Sequence, residues 1–254
     1  MSELKKITVQ QDPWSSLKAY TTARIALGKT GAALPLKALL EFRLAHAHAR
    51  DAVYSQINSV LFIQALEALR IPYFYLQSRA NTRHKYLQRP DFGRQLHADS
   101  HKQLVLFESG GYDIAITIAD GLSAAAVNDN AIPLIKLLIP VLQQANLRIA
   151  PLCLVEQGRV AVADETGSLL KATLSLILIG ERPGLSSHDS LGAYLTYEPS
   201  VGTTDERRNC ISNIRPEGMT VAHAAEKIFY LVKESLRLKL SGVQLKDNMG
   251  LLPQ

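Results

Sequence analysis

The segment LSLILIGERPGLSSHDSLGAYLTY, residues 174–197, carries the densest group of side chains able to do chemistry. An apolar run stops at Gly180, and Glu181 and Arg182 stand side by side before Pro183-Gly184. A carboxylate on a turn stiffened by Gly and Pro is a fixed hydrogen-bond acceptor, and the guanidinium beside it is a fixed donor. A plain turn needs neither. Two more glycine-flanked polar stretches follow apolar runs: ADGLS at 119–123, with Asp120 and Ser123, and EQGRV at 156–160, with Arg159 and Val160. A stand-alone enzyme would draw on Asp120, Ser123 and Glu181. The residues nevertheless form no self-contained catalytic set. GLSAA and GLSSH lack the closing glycine of a nucleophile elbow. His188 follows Ser186 by two residues with no orienting acid evident. His46 and His48, at i and i+2, do not share a helix face.

Phosphate and metal motifs fail as well. ARIALGKTG at 23–31 has Ala23 where a phosphate-binding loop needs glycine, and no apolar strand precedes it. There is no G-x-G-x-x-G. The two cysteines, Cys153 and Cys210, have no metal-ligand spacing, and in a reducing compartment they are expected to stay unpaired. No metal site is expected. The net charge of +5 admits an anionic ligand, but the basic residues are scattered, which argues against a nucleic-acid partner. The longest apolar stretch, Ile132–Leu142, is too short to span a membrane and holds Pro133, Lys136 and Pro140. MSELKKITVQQDPW has no signal-peptide core, so the protein is expected to be intracellular.

These residues need elements to position them. Residues 1–20 read as a flexible N-terminal arm. From 21 to 99 the pattern is mainly helical: Leu36, Leu39, Leu40 and Leu44 recur at helical spacing from Pro35 onward, and the rhythm continues to about Arg70. Residues 71–91 are mixed, and RPDFGRQL reads as a turn opening a helix. From 100 to 254 the pattern is that of an α/β domain. YDIAITIADG, LRIAPLCLVEQG, ATLSLILIGE and LGAYLTYEP read as strands. DNAIPLIKLLIPVLQQAN, a short DETGSLL capped by Asp164, and TVAHAAEKIFYLVKESLRLKL read as helices. Strands apolar throughout, alternating with helices, predict an α/β fold with an open, mostly parallel, Rossmann-like sheet flanked by helices. In such sheets ligands bind outside the carboxyl ends of the strands. All three polar stretches sit at predicted strand ends.

ARIALGKTG, HARDAV, YLQRPDFGRQL, IADGLSAAAV, QGRVAVADETG, LIGERPGLSSHDSLGAYLTY, RNCISNIRP and LSGVQLKD occur in that order. Together they resemble the small (light) subunit of ethanolamine ammonia-lyase over roughly residues 21–247. The resemblance implies one subunit of a lyase of ethanolamine catabolism that makes acetaldehyde and ammonia with adenosylcobalamin. The implied partner is a TIM-barrel large subunit, in a hetero-oligomer of large–small pairs with cobalamin at the interface. Catalytic residues are expected on that large subunit and none on this chain. The family keeps cobalamin base-on. DSHKQL at 99–104 agrees, since Leu104 replaces the glycine of the D-x-H-x-x-G motif that supplies a histidine to cobalt. By resemblance, Val160, Glu181 and Cys210 contact the cofactor. Arg159 is added on chemical grounds, because its guanidinium suits a phosphate or an amide carbonyl. Some relatives carry a longer N-terminal extension linked to packaging, so the expected location is the cytoplasm or a bacterial microcompartment. The alternative readings are a non-catalytic assembly or docking module of a related lyase complex, and a stand-alone α/β enzyme.

Overall fold

The computed structural model describes residues 9–107 and 110–249. Residues 1–8 of the expected arm, Glu108 and Ser109 of the LVLFES stretch, and residues 250–254 lie outside the described residues. In chain order the elements are α1 (Leu36–Tyr54), α2 (Ser59–Ala68), β1 (Tyr73–Gln77), α3 (Arg83–Gln88), α4 (Ala98–Leu106), β2 (Tyr112–Ala119), α5 (Ala124–Gln144), β3 (Leu152–Glu156), α6 (Val162–Leu169), β4 (Ala172–Gly180), β5 (Leu191–Tyr197), β6 (Arg208–Ile214) and α7 (Val221–Leu238). Short 3-10 turns include Ser15–Tyr20 in the rest of the arm.

The six strands form one sheet in the order β1-β3-β2-β4-β5-β6. Pairings β1–β3, β3–β2 and β2–β4 are parallel, and β4–β5 and β5–β6 are antiparallel. The α/β fold with a mostly parallel sheet is therefore the observed one, with an antiparallel edge added. Side chains alternate between the faces of the sheet. Ile114, Ile116, Ile118, Leu174, Leu176 and Leu178 join α5 and α7 in one core. Ala115, Ala119, Cys153, Val155, Ile177 and Ile179 join α4 and α6 in the other. Each fully buried Leu or Ile adds ~1.5–3 kcal/mol, so these two layers hold the sheet.

Helix α5 is longer than its predicted span, and by length and composition it is apolar enough to cross a membrane. Its buried residues, among them Leu134, Ile135, Leu138 and Leu142, pack in the sheet–α7 core. That is the position of a core helix.

Several local readings change. The single helical rhythm to Arg70 is two helices, because Ser55 Oγ donates to Ala52 O at 2.6 Å and Asn58 caps α2 by accepting from Leu61 N–H. Pro35 precedes α1 as its cap residue rather than lying in its first turn. The mixed stretch holds β1, and RNCISNI is β6. Asp164 caps nothing: α6 begins at Val162, and Asp164 lies buried in an ion pair with Arg208. That partner is 44 residues away, beyond the reach of a local pattern.

Candidate functional site

The ends of β2, β3 and β4 come together as the strand-end rule predicts. Around them lies an open depression of about 380 Å³, walled by Gly121, Leu122, Arg159, Val160, Glu181 and Tyr194, among others. The glycines here serve protein packing. A Cβ on Gly121 would sit 2.2 Å from Gly180 O, and one on Gly180 would sit 2.0 Å from Ser123 O. Gly121 also has φ +59°, a conformation that favours glycine. Leu122 N–H donates to Gly180 O at 2.9 Å, so two strand-end loops lock backbone to backbone. Glycines at strand ends suggest close ligand approach, but the geometry gives these two to loop-on-loop contact.

Arg159 and Val160 follow β3. Arg159 N–H donates to Gly93 O at 2.7 Å, and its Nη2 donates to Tyr86 O at 3.1 Å. Its Nε is buried without a partner among the described residues. The guanidinium lies 4.1 Å from the Tyr86 ring centroid, and that of Arg83 lies 4.7 Å from the same ring. Two cations thus share one buried aromatic ring. Arg83 ties the region together. Its Nε donates to Val53 O at 2.6 Å, and its Nη1 donates to Gly121 O at 2.7 Å. Asp120 lies 3.7 Å from the same Nη1 and accepts from Gly158 N–H at 3.1 Å. Burial pushes the Asp120 carboxyl up to about 6, with Arg83 pulling against it.

Glu181 is held by the antiparallel edge. Its N–H donates to Ser190 O at 3.0 Å. Its Oε2 accepts from Ser190 Oγ and, at 3.2 Å, from Asn213 N–H. The second oxygen, Oε1, lies over Gly192, where a Cβ would approach it to 3.0 Å. Arg182 stands exposed on the rim, so Glu181 is fixed by Ser190 and β6 rather than by its neighbour. Cys210 is not on the wall. It lies on β6 opposite Tyr194 of β5, and Tyr194 does line the depression. Burial raises the Tyr194 hydroxyl, whereas Cys210 is exposed.

Three of the four singled-out residues, Arg159, Val160 and Glu181, therefore share one depression, and Cys210 adjoins it through Tyr194. Arg83, Tyr86 and Tyr194 were missed. The first two sit on α3, in the stretch read as mixed, and only long-range contacts bring them here. A signal existed for Tyr194: it alternates onto the same face as the residues flanking it at i±2 in a strand read correctly. The stand-alone reading loses its nucleophile. Ser123 Oγ caps α5, accepting from Ala126 N–H at 3.2 Å and donating to His188 O at 2.8 Å. No cluster of three or more metal-ligating side chains occurs among the described residues.

Residues 11–246 match the family profile described as ethanolamine ammonia-lyase light chain (EutC). The chain is similar to proteins named ethanolamine ammonia-lyase small subunit. That of Azotobacter vinelandii is 51% identical over 240 residues, covering 93% of this chain and 89% of the relative. That of Pseudomonas fluorescens is 49% identical over 246 residues, covering 96% and 90%. That of Ralstonia nicotianae is 51% identical over 243 residues, covering 94% and 90%. With a strand-end site of this form and similarity along nearly its whole length, the chain belongs to the ethanolamine ammonia-lyase light-chain family.

Proposed function

We propose that this chain is the small subunit of an ethanolamine ammonia-lyase and that its strand-end depression covers one side of base-on adenosylcobalamin against a large subunit. The observation that carries the reading is the convergence of Arg159, Val160 and Glu181 on one open depression in a chain of this family. The donor set suits the group. A corrin is apolar in its ring and fringed with amides, and the wall offers an apolar Val160, a fixed carboxylate and an arginine with a buried, unpartnered Nε. The depression is open, so it would cover one side only, which leaves the other to a partner.

When bound, the cofactor supplies the radical chemistry through its cobalt–carbon bond, and the protein's share is binding and orientation. Glu181 Oε1 would accept from a side-chain amide, because Oε2 is already satisfied. Arg159 would donate to an amide carbonyl or to the nucleotide phosphate, held in place by its stacking on Tyr86. Val160 would pack on the ring. Cys210, the cross-strand partner of Tyr194, would meet the cofactor at the edge of the wall. No acid, base or nucleophile is assigned to this chain; those roles belong to the large subunit. The place of action in this reading is the cytoplasm or a microcompartment within it.

Reconstitution tests the reading. Each chain alone and the two together are supplied with adenosylcobalamin and ethanolamine, and ammonia release is measured. Turnover is expected only with both chains. Turnover by this chain alone would overturn the reading, and turnover by the large chain alone at the full rate would leave this chain an assembly module.

A further inference from the structure

Helix α1 is built inside out. The residues that face the body are mostly small: Ala38, Ala45, Ala49 and Ala52 recur at i, i+7, i+11 and i+14, one seam of the helix, and all are at least partly buried. Three leucines lie away from that seam. Leu36, Leu40 and Leu44, at i, i+4 and i+8, are 69%, 53% and 58% exposed. Only Ala52 of the nineteen residues is fully buried. A surface helix places its apolar stripe against the core and its polar side in water. Here large apolar side chains face out, and contiguous exposed apolar surface of this kind marks an interaction site.

We propose that this outward stripe seats in an apolar groove on the large subunit. The inference rests on the two-chain reading above, and it names where the chains meet. Two observations choose the occupant. The first is continuity with the site. The carboxyl end of α1 reaches the depression, where Val53 O accepts from Arg83 Nε at 2.6 Å and the His48 ring lies 5.4 Å from that of His188 on the Glu181 loop. A chain that closes over the depression from α1's side meets the stripe. The second is charge. Arg43 and Arg50 flank the stripe on one side without an ion pair among the described residues, whereas Lys37 on the other side is paired with Glu41 at 3.9 Å. A second copy of this chain, packed antiparallel about a two-fold axis, would set Arg43 and Arg50 against their own counterparts. A different chain, with an apolar groove edged by carboxylates, fits where a copy does not.

The test uses the co-expressed pair. The double variant Leu40→Glu, Leu44→Glu is compared with wild type by light scattering after size exclusion and by equilibrium dissociation of the pair. Two interfacial leucines replaced by charge should weaken the complex by at least ~100-fold. The isolated variant should keep the circular dichroism and melting temperature of the isolated wild type, since the altered side chains face water. The milder Leu40→Gln, Leu44→Gln pair should fall between. Reversing the flank with Arg43→Glu, Arg50→Glu should weaken the complex about tenfold, and less so at high salt. Wild-type affinity in the double glutamate variant would overturn the inference. So would an isolated wild-type dimer that the same variant dissolves while large–small assembly survives, for the stripe would then join two copies. If the wild-type chains fail to assemble at all, the two-chain reading falls, and that outcome is read from the wild type alone.

Discussion

Helices α1 and α7 are nearly equal in length, at 19 and 18 residues, and both carry apolar residues at helical spacing. Yet α7 buries its stripe. Ala224, Ala225, Ile228, Leu231 and Val232 sit in the sheet core beside α5. Helix α1 turns Leu36, Leu40 and Leu44 to solvent and its alanine seam to the body. Periodicity therefore identifies a helix and its apolar face. It does not say whether the surface that the face needs is in the same chain. In α7 the partner is the chain's own sheet; in α1, under the docking proposed above, it is another protein.

Truncating one stripe at a time in the isolated chain, followed by denaturant unfolding, puts the contrast at risk. Ile228→Ala on α7 should cost ~2–5 kcal/mol, the usual penalty for a cavity in a packed core. A cost under about 1 kcal/mol would mean that α7 is not the core helix described.

The junction between α1 and the body should show the next effect in size, as a pH dependence. Burial raises Asp120 from 3.8 to about 6, while Arg83, which also holds Val53 O at the end of α1, opposes the rise. A carboxyl with its folded pKa above its unfolded pKa favours the fold in its protonated form. Its contribution is full below about pH 4 and is lost as the pH rises through about 6. Between those limits wild type should lose up to ~3 kcal/mol relative to Asp120→Asn. Parallel pH profiles for the two proteins would contradict the burial of this charge.

Weaker effects separate the two helices at their ends. Asn58→Ala removes the cap of α2, just beyond the break that ends α1, and should cost ~1 kcal/mol. Leu40→Ala on the α1 stripe should change the stability of the isolated chain by less than about 0.5 kcal/mol. A core-sized loss from Leu40→Ala would show that the stripe is covered within the chain and would end the contrast with α7.

The four strands β2 to β5 were legible because each is a continuous apolar run bounded by glycine or a polar turn. The two edge strands were not. YFYLQ of β1 is short, with Tyr75 well exposed, and RNCISNI of β6 is mostly polar with buried positions only at Arg208, Ile211 and Ile214. An edge strand borrows its order from the neighbour it pairs with, and no local pattern records that. The same limit governs the site. Arg159 and Glu181 stood out as charged residues at strand ends. Arg83 and Tyr86 came from a helix whose partners are up to 74 residues away in the chain. Cys210 was reached through family resemblance alone, and its place beside Tyr194 follows from a strand register that periodicity does not encode. Asp164 reads as a cap in the sequence because its ion-pair partner lies far off, on β6.

The strand-end site faces its most direct test in a titration of adenosylcobalamin into the assembled large–small pair, wild type against Glu181→Ala. Assembly should stay intact and the Kd should rise at least tenfold, with a further rise when Arg159→Ala is added. An unchanged Kd in both variants would mean that the strand-end depression is not where this chain meets the cofactor.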